Sequence, residues 1–382
     1  MFVELVASLI VAASPTYEAS LRSEVRASTT GDADGQLNPA LTLKLPLGQF
    51  SLLTAYTPRI LLFEPDVPQK VSVLNSGRLL AELRTSKAGR IFLQEDLSYG
   101  EASFSWLITA AEGGLPTFNS LAQLPPFKYL GVATLLGIEQ PVSRKVGISL
   151  SASYTISGGA DANARRTSPF THSPRLSFRL LWSLGTHDAL LTGLDGYALF
   201  FPGTRSYAAD LPIGWRHQFS PSTDGDLLVG LAGGRSITSE LIETQLYPYF
   251  SATIRRKLLQ GQRQSLWGSL SLRIIPAIDP ITGVFYEQAE SYAVLNYSPI
   301  TKLTLIATLG GSVSLSSSVH QKLGLAGFSA SYQVSHHVAL SAGVRLFTFP
   351  TALRTTPVPG PNRYQVQSVG FLAITVSDNG HL

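Results

Sequence analysis

The amino-acid sequence predicts an all-β fold: a closed, antiparallel, up-and-down transmembrane β-barrel of about 18 strands (16–18), with short turns on one side and long loops on the other. Three observations predict it. Apolar side chains recur with a period of two from Tyr17 onward, the alternating runs last about 10 to 14 residues, and the breaks between runs are alternately short and long. Period two puts one set of side chains on each face of a strand. Runs of this length are roughly twice the soluble mode of about 5–6 residues. One greasy face and one small, polar face along a long strand is the pattern of a sheet that lies between lipid and water.

The elements follow in order. Tyr17, Ala19, Leu21, Ser23, Val25 and Ala27 alternate with Glu18, Ser20, Arg22, Glu24 and Arg26, which predicts a strand over 16–28. Strands near 38–47 and 49–57 flank Gly48, and strands near 77–85 and 91–98 flank Lys87-Ala88-Gly89. The turn from Pro141 to Arg144 separates 129–139 from 145–157, where Val146, Ile148, Leu150, Ala152, Tyr154 and Ile156 share a face. In 174–184, Leu176, Phe178, Leu180, Trp182 and Leu184 oppose Arg175, Ser177, Arg179 and Ser183, with Leu181 the exception. Gly185-Thr186-His187 leads into 188–200, and Ser220 to Thr223 joins 206–219 to 224–236. Strands near 245–257, 265–276 and 284–297 precede the turn Ser298 to Thr301 and the strand 302–313. Ser335-His336 joins 321–334 to 337–348, and the last strand spans 363–377. Longer connections fall at 29–37, 58–76, 99–128, 158–173, 235–244, 277–283, 314–320 and 349–362; the link at 201–205 is brief for that side and 258–264 generous for the other. An even strand count places both termini on the tight side.

Composition narrows the function classes. Charged residues make up 14% of the 382 residues, against roughly 25% in an ordinary soluble domain, and small uncharged residues fill the difference. The absence of Cys excludes a disulfide framework, a thiolate metal site and a cysteine nucleophile. A net charge of +4 without a Lys/Arg block argues against a nucleic-acid partner, and the lack of charged blocks argues against disorder. No segment approaches the roughly 20 apolar residues of a spanning helix. Leu5 to Ala13 suits the apolar core of a secretory signal and ends in the small residues Val11-Ala12-Ala13, although Glu4 stands where a basic residue is expected. The expected organisation is therefore a signal-peptide remnant over 1–14, one barrel over 15–377 and a polar C-terminal tail over 378–382. An apolar first strand is the alternative for the N-terminal segment.

The stretch from about Tyr17 to Ser377 resembles a Gram-negative outer-membrane β-barrel of porin size. The resemblance rests on pattern, not motif, and some polysaccharide-export porins share this strand number. It implies an integral outer-membrane location with periplasmic termini. It also implies contact with membrane lipid and lipopolysaccharide, and insertion by the barrel-assembly machinery. One family feature differs: such barrels usually end on Phe, whereas here Phe371, Ile374 and Val376 precede a polar segment from Ser377 to Leu382.

A sheet crosses hydrocarbon only when closed, because every backbone amide must find a partner within the protein. Aromatic rings belong at the water–lipid boundary of such a sheet, and Tyr17, Tyr154, Trp182, Trp215, Tyr297 and Tyr364 sit on apolar faces near strand ends. The polar phase assigns to the lumen Arg22, Arg26, Lys44, Arg84, Arg175, Arg179, Arg216, Arg255, Arg273, Arg345 and Arg363, with Glu18, Glu24, Glu82, Asp96, Asp210 and Glu290. Tyr247, Tyr249, Trp267 and Tyr292 also project inward. A bore of this size holds an aqueous channel unless loops fill it, and an Arg-rich wall with aromatic faces suits an anionic or saccharide solute. The competing reading is that Arg–Glu pairs only stiffen the wall. The connection 99–128 is long enough to constrict the bore or to cap it.

No HExxH, GxSxG, P-loop or glycine fingerprint appears, so no catalytic residue, metal or cofactor is assigned. His172-Ser173 with Asp161 is the one outer cluster resembling a nucleophile and base, and a solvated loop His explains it more simply. His336-His337 and His187-Asp188 read as turns. Glu95 and Glu287 fall on the lipid-facing phase and are expected at a rim or bulge, since a carboxylate at mid-bilayer is costly. The expected function is a non-enzymatic outer-membrane channel that passes small solutes or exports a polysaccharide. The alternatives are a closed scaffold for an envelope partner, an outer-membrane lipid hydrolase using His172, and a soluble secreted β protein.

Overall fold

The computed structural model describes residues 15–28, 33–63, 71–102, 127–238, 242–261, 264–278, 284–315, 322–350 and 364–381. The strands are β1 (Thr16–Ser28), β2 (Ala33–Leu47), β3 (Phe50–Tyr56), β4 (Arg59–Phe63), β5 (Val71–Arg84), β6 (Arg90–Ala102), β7 (Phe127–Pro141), β8 (Val146–Gly159), β9 (Thr171–Ser183) and β10 (Asp188–Phe201). They continue as β11 (Thr204–Ser220), β12 (Thr223–Thr238), β13 (Ile242–Gln260), β14 (Ser265–Ile278), β15 (Phe285–Ile300), β16 (Leu303–Ser314), β17 (Lys322–Gln333), β18 (Val338–Pro350) and β19 (Tyr364–His381). All pairings are antiparallel and, β3 and β4 apart, join sequence neighbours, and β1 pairs with both β2 and β19. The sheet is therefore closed. β3 and β4 both lie between β2 and β5, so they fill one position and the barrel has 18. Pro58 stands in the break between them, where its missing N–H takes a donor out of the ladder.

Residues directly opposite across a ladder share a face, so the register carries each strand's phase around the ring. The outward phase holds Leu231, Leu309 and Leu372, whose side chains are 58%, 64% and 68% exposed. Repeated on every strand, such exposure would be prohibitive in water and is the normal state against acyl chains. Among the described residues no helix is long and apolar enough to cross a membrane.

Tight connections share a geometry. Thr85 N–H donates to Gly89 O at 3.0 Å, Val142 to Val146 at 2.8 Å, Leu184 to Asp188 at 2.9 Å and Val334 to Val338 at 2.9 Å. The β2–β3 turn is shorter and is made by Gly48 at φ 67°, a conformation that glycine adopts without strain. Thr16 lies opposite both Lys44, toward that turn, and His381, which puts the start of β1 and the end of β19 on the tight side.

Several elements differ from expectation. The connection expected over 58–76 contains β4 and the start of β5, and the one over 158–173 contains α1 (Ala162–Thr167). Asp161 caps that helix by accepting from Ala164 N–H at 2.8 Å. The brief link after β10 is a two-residue turn, Pro202-Gly203, with Gly203 at φ 83°. The segment expected as a polar tail is strand: Asp378 to His381 pair with Thr16 to Ala19. Backbone pairing with β1 continues there although the side chains are polar. Glu95 is neither at a rim nor in a bulge. It lies mid-strand, opposite Leu79 and Thr134, and Thr134 Oγ1 donates to its carboxylate at 2.8 Å. Glu287 does lie near the outer end of β15. The N-terminal segment 1–14, residues 103–126 of the longest loop, and Arg363 lie outside the described residues.

Candidate functional site

A cavity of about 620 Å³ is lined from β9, β10, β11, β13, β14, β15 and β17. Strands so far apart around a ring share a space only inside it, which fixes the polar phase as inward. Its wall is built on β10 and β11, where Asp195 and Asp210 are direct cross-strand partners and are 2% and 6% exposed. Arg179 donates to Asp195 Oδ2, and Arg175 reaches Asp195 Oδ1 at 3.7 Å. Tyr197 faces Arg175 across the β9–β10 ladder. Tyr249 enters from β13, and Arg273 and Glu290 are paired partners on β14 and β15.

The outer side of this cavity is covered by the β14–β15 tip. The β13–β14 ladder ends at Phe250–Ile274, although β13 begins at Ile242 and β14 runs to Ile278. Beyond that point β14 keeps β15 as its partner, and β13 keeps β12. The released tip leans inward. Phe285 N–H donates to Ser236 Oγ at 2.8 Å, Ser236 pairs with Ser206 at 2.9 Å, and the Phe285 ring lies 5.5 Å from that of Tyr247. Phe285 and Tyr286 are 2% and 3% exposed, and Tyr286 OH donates to Gln288 at 3.0 Å.

The remaining inward charges form pairs around the ring. Arg216 meets Asp226 at 2.6 Å, and Arg255 bridges Asp224 at 2.7 Å and Asp226 at 2.9 Å. Arg90 joins Glu139 at 2.8 Å and Glu82 at 3.2 Å, with Arg84 at 3.7 Å from Glu82. Arg78 meets Asp96 at 2.6 Å, Arg22 meets Glu24 at 2.8 Å, and the buried Arg26 meets Asp34 at 2.7 Å. The Arg22 and Arg345 guanidinium groups sit 6.0 and 5.3 Å from the ring centroid of Phe371, which the register turns inward. Single exposed pairs of this kind contribute at most about 1 kcal/mol each. Their chief effect here is to hold charge flat against the wall.

The register places the expected lumen residues Arg22, Arg26, Lys44, Arg84, Arg175, Arg179, Arg216, Arg255, Arg273 and Arg345 on one phase with Glu18, Glu24, Glu82, Asp96, Asp210 and Glu290. Tyr247, Tyr249, Trp267 and Tyr292 follow that phase. They do not converge: Arg175, Arg179, Asp210, Tyr249, Arg273 and Glu290 meet at the cavity, while the others are spread around the bore. The expected excess of basic residues does not persist. Asp34, Glu139, Asp195, Asp224, Asp226 and Glu243 join the inward phase, against fewer new basic residues such as Arg78 and Arg90. Among the described residues the two signs come out nearly equal.

Tyr17, Tyr154, Trp182, Trp215 and Tyr297 lie on the outward phase. Tyr364 is opposite Pro350 in the backbone ladder, and its side chain is outside the described set. Trp215 Nε1–H donates to Asp188 at 2.8 Å, and His217 Nδ1 lies 2.7 Å from the same oxygen. His172 is on the outward phase with Nδ1 2.8 Å from Tyr154 OH, and Asp161 is committed to the α1 cap. His337 lies in the tight turn, 2.9 Å from Ser377 O. Asp195, Tyr197, Phe285 and Tyr286 were not singled out from the sequence. The segment Leu190 to Phe201 is apolar on both phases, which hides one buried carboxylate among leucines.

These features define an outer-membrane β-barrel with a lined, partly covered bore. The profile of the EpsX exopolysaccharide export family matches residues 6–355, and the chain belongs to that family. Solved structures similar in fold include two variants of one iron transporter. The FrpB iron transporter from Neisseria meningitidis, F5-1 variant in apoprotein form, is 8% identical with a TM-score of 0.55, over 94% of this chain and 81% of that one. Its F3-3 variant is 8% identical with a TM-score of 0.52, over 97% and 83%. No match was found among curated proteins.

Proposed function

We propose that this barrel exports a polysaccharide strand across the outer membrane through its bore, with periplasmic termini and without performing chemistry on its cargo. The observation that carries the reading is the inner wall itself. Aromatic rings and neutralised Arg–carboxylate pairs line a closed ring in a chain of an exopolysaccharide export family. A strand of sugar residues moves along a wall that offers many hydrogen bonds of similar strength and no single deep charge. Fixed ion pairs provide that wall, whereas an unpaired run of Arg would trap an anionic polymer.

Two measurements test the reading together. Planar bilayers holding the purified barrel are expected to show ion conductance, and cells lacking the gene are expected to retain the polymer inside the envelope. A closed scaffold gives negligible conductance and surface polymer at the normal level, which would overturn the proposal.

A further inference from the structure

Four enclosed polar atoms of the β9–β11 wall make no hydrogen bond among the described residues: Asp195 Oδ1, Asp210 Oδ1, Tyr197 OH and Arg179 Nη1. Asp195 and Asp210 are both more than nine-tenths buried. Buried polar groups are normally satisfied, and each exception calls for a reason. These four belong to side chains that line one cavity of about 620 Å³, inside the range of small-ligand sites.

The mixture of free groups restricts what satisfies them. A phosphate or carboxylate would satisfy Arg179 and be repelled by two neighbouring carboxylates. An amine would satisfy the carboxylates and leave the guanidinium N–H without an acceptor. A hydroxyl donates to a carboxylate oxygen and accepts from an N–H or a phenol, so adjacent hydroxyls on one scaffold suit all four. The Tyr249 ring lines the same cavity and presents a flat face to the C–H side of a sugar ring. Arg175, Arg179 and Arg273 are matched there by Asp195, Asp210 and Glu290, so the site has no net preference for an anion.

We infer that this cavity is a binding subsite for neutral sugar residues, held through hydroxyl groups by Asp195, Asp210, Tyr197 and Arg179. The inference deepens the export reading and rests on it only in taking the sugar to be a segment of the transported polymer. A subsite on one side of the wall gives the strand a resting position under the β14–β15 tip.

Isothermal titration of the full-length barrel in detergent with short neutral gluco-oligosaccharides, and with oligogalacturonates as the anionic counterpart, tests it. Neutral oligosaccharides are expected to bind on the order of tenfold or more tighter than anionic ones. Asp210→Asn is expected to weaken neutral binding by on the order of tenfold, the loss of a hydrogen bond to a charged group. Tyr197→Phe removes a hydroxyl with no hydrogen-bond partner among the described residues, so the variant is expected to keep the heat-modifiable gel mobility of the folded barrel and still bind neutral sugar more weakly. Equal affinity for both classes, unchanged binding by Tyr197→Phe, or no oligosaccharide binding at all would overturn the subsite. Conductance of the same preparation separates the two readings. Conduction without sugar binding defeats the subsite alone, and binding without conduction defeats the export reading alone.

Discussion

Asp195 on β10 and Asp210 on β11 stand directly opposite each other, both buried. Like charges in that relation destabilise a sheet, and a buried carboxylate is tolerated only when paired. Arg179, donating to Asp195, is the group that makes the arrangement tenable. Arg179→Ala is expected to lower stability by up to ~3–5 kcal/mol, the cost of stranding a buried charge, with the partial exposure of the guanidinium reducing it. Adding Asp195→Asn should restore most of the loss. Thermal unfolding followed by the heat-modifiable gel shift measures both, and a double variant no more stable than the single would refute the pairing.

Thr308 and Leu309 are chain neighbours on β16 that the register sends to opposite faces. Leu309→Arg is expected to cost about 2–4 kcal/mol, as for a cation placed against mid-bilayer lipid. Thr308→Arg points to the bore and should change stability by only about 0.5 kcal/mol, as at an ordinary wet surface. Chemical unfolding in lipid vesicles distinguishes them, and similar costs at both sites would reverse the assignment of faces.

Glu95 faces outward at mid-strand, and its carboxylate accepts from Thr134. Thr134→Val removes that donor and is expected to destabilise the barrel by roughly 1–3 kcal/mol. In a Glu95→Leu background the same substitution should have little effect. A double-mutant cycle with no coupling between the two sites would show the contact to be idle.

Phe285 anchors the β14–β15 tip through Ser236 and Tyr247. Phe285→Ala should free the tip and raise single-channel conductance several-fold while the mobility of the folded band persists, because the β13–β14 ladder begins farther in, at Phe250–Ile274, and the β14–β15 ladder is a backbone pairing that does not need the Phe285 ring. Unchanged conductance would mean that the tip does not narrow the current path.

The barrel was legible because lipid and water impose their contrast at every second residue. Leu176 to Trp182 and Val338 to Leu346 state it plainly. What escaped was whatever the backbone does without help from that contrast. Asp378 to His381 continue a ladder on polar side chains, and β4 breaks the alternation with Leu61-Leu62 after Pro58. The cavity was half legible. Arg175, Arg179, Asp210, Tyr249, Arg273 and Glu290 lie on the clean inward phase of their strands. Asp195 and Tyr197 sit in a run with apolar residues on both phases, so alternation does not mark them, although their side chains line the cavity under the leaning tip. An inward lean arises from where a ladder stops, and side-chain order carries no record of it.

Tyr17 OH donates to Asp378 at 2.9 Å, although the two residues are 361 positions apart in sequence. The hairpins between them form from near neighbours, yet the cylinder shuts only when the two ends of the polypeptide meet. Loop closure of that span comes last and late. Until β1 and β19 pair, every intermediate has two raw edges that hydrocarbon will not accept, so spanning the bilayer and shutting the cylinder are coupled.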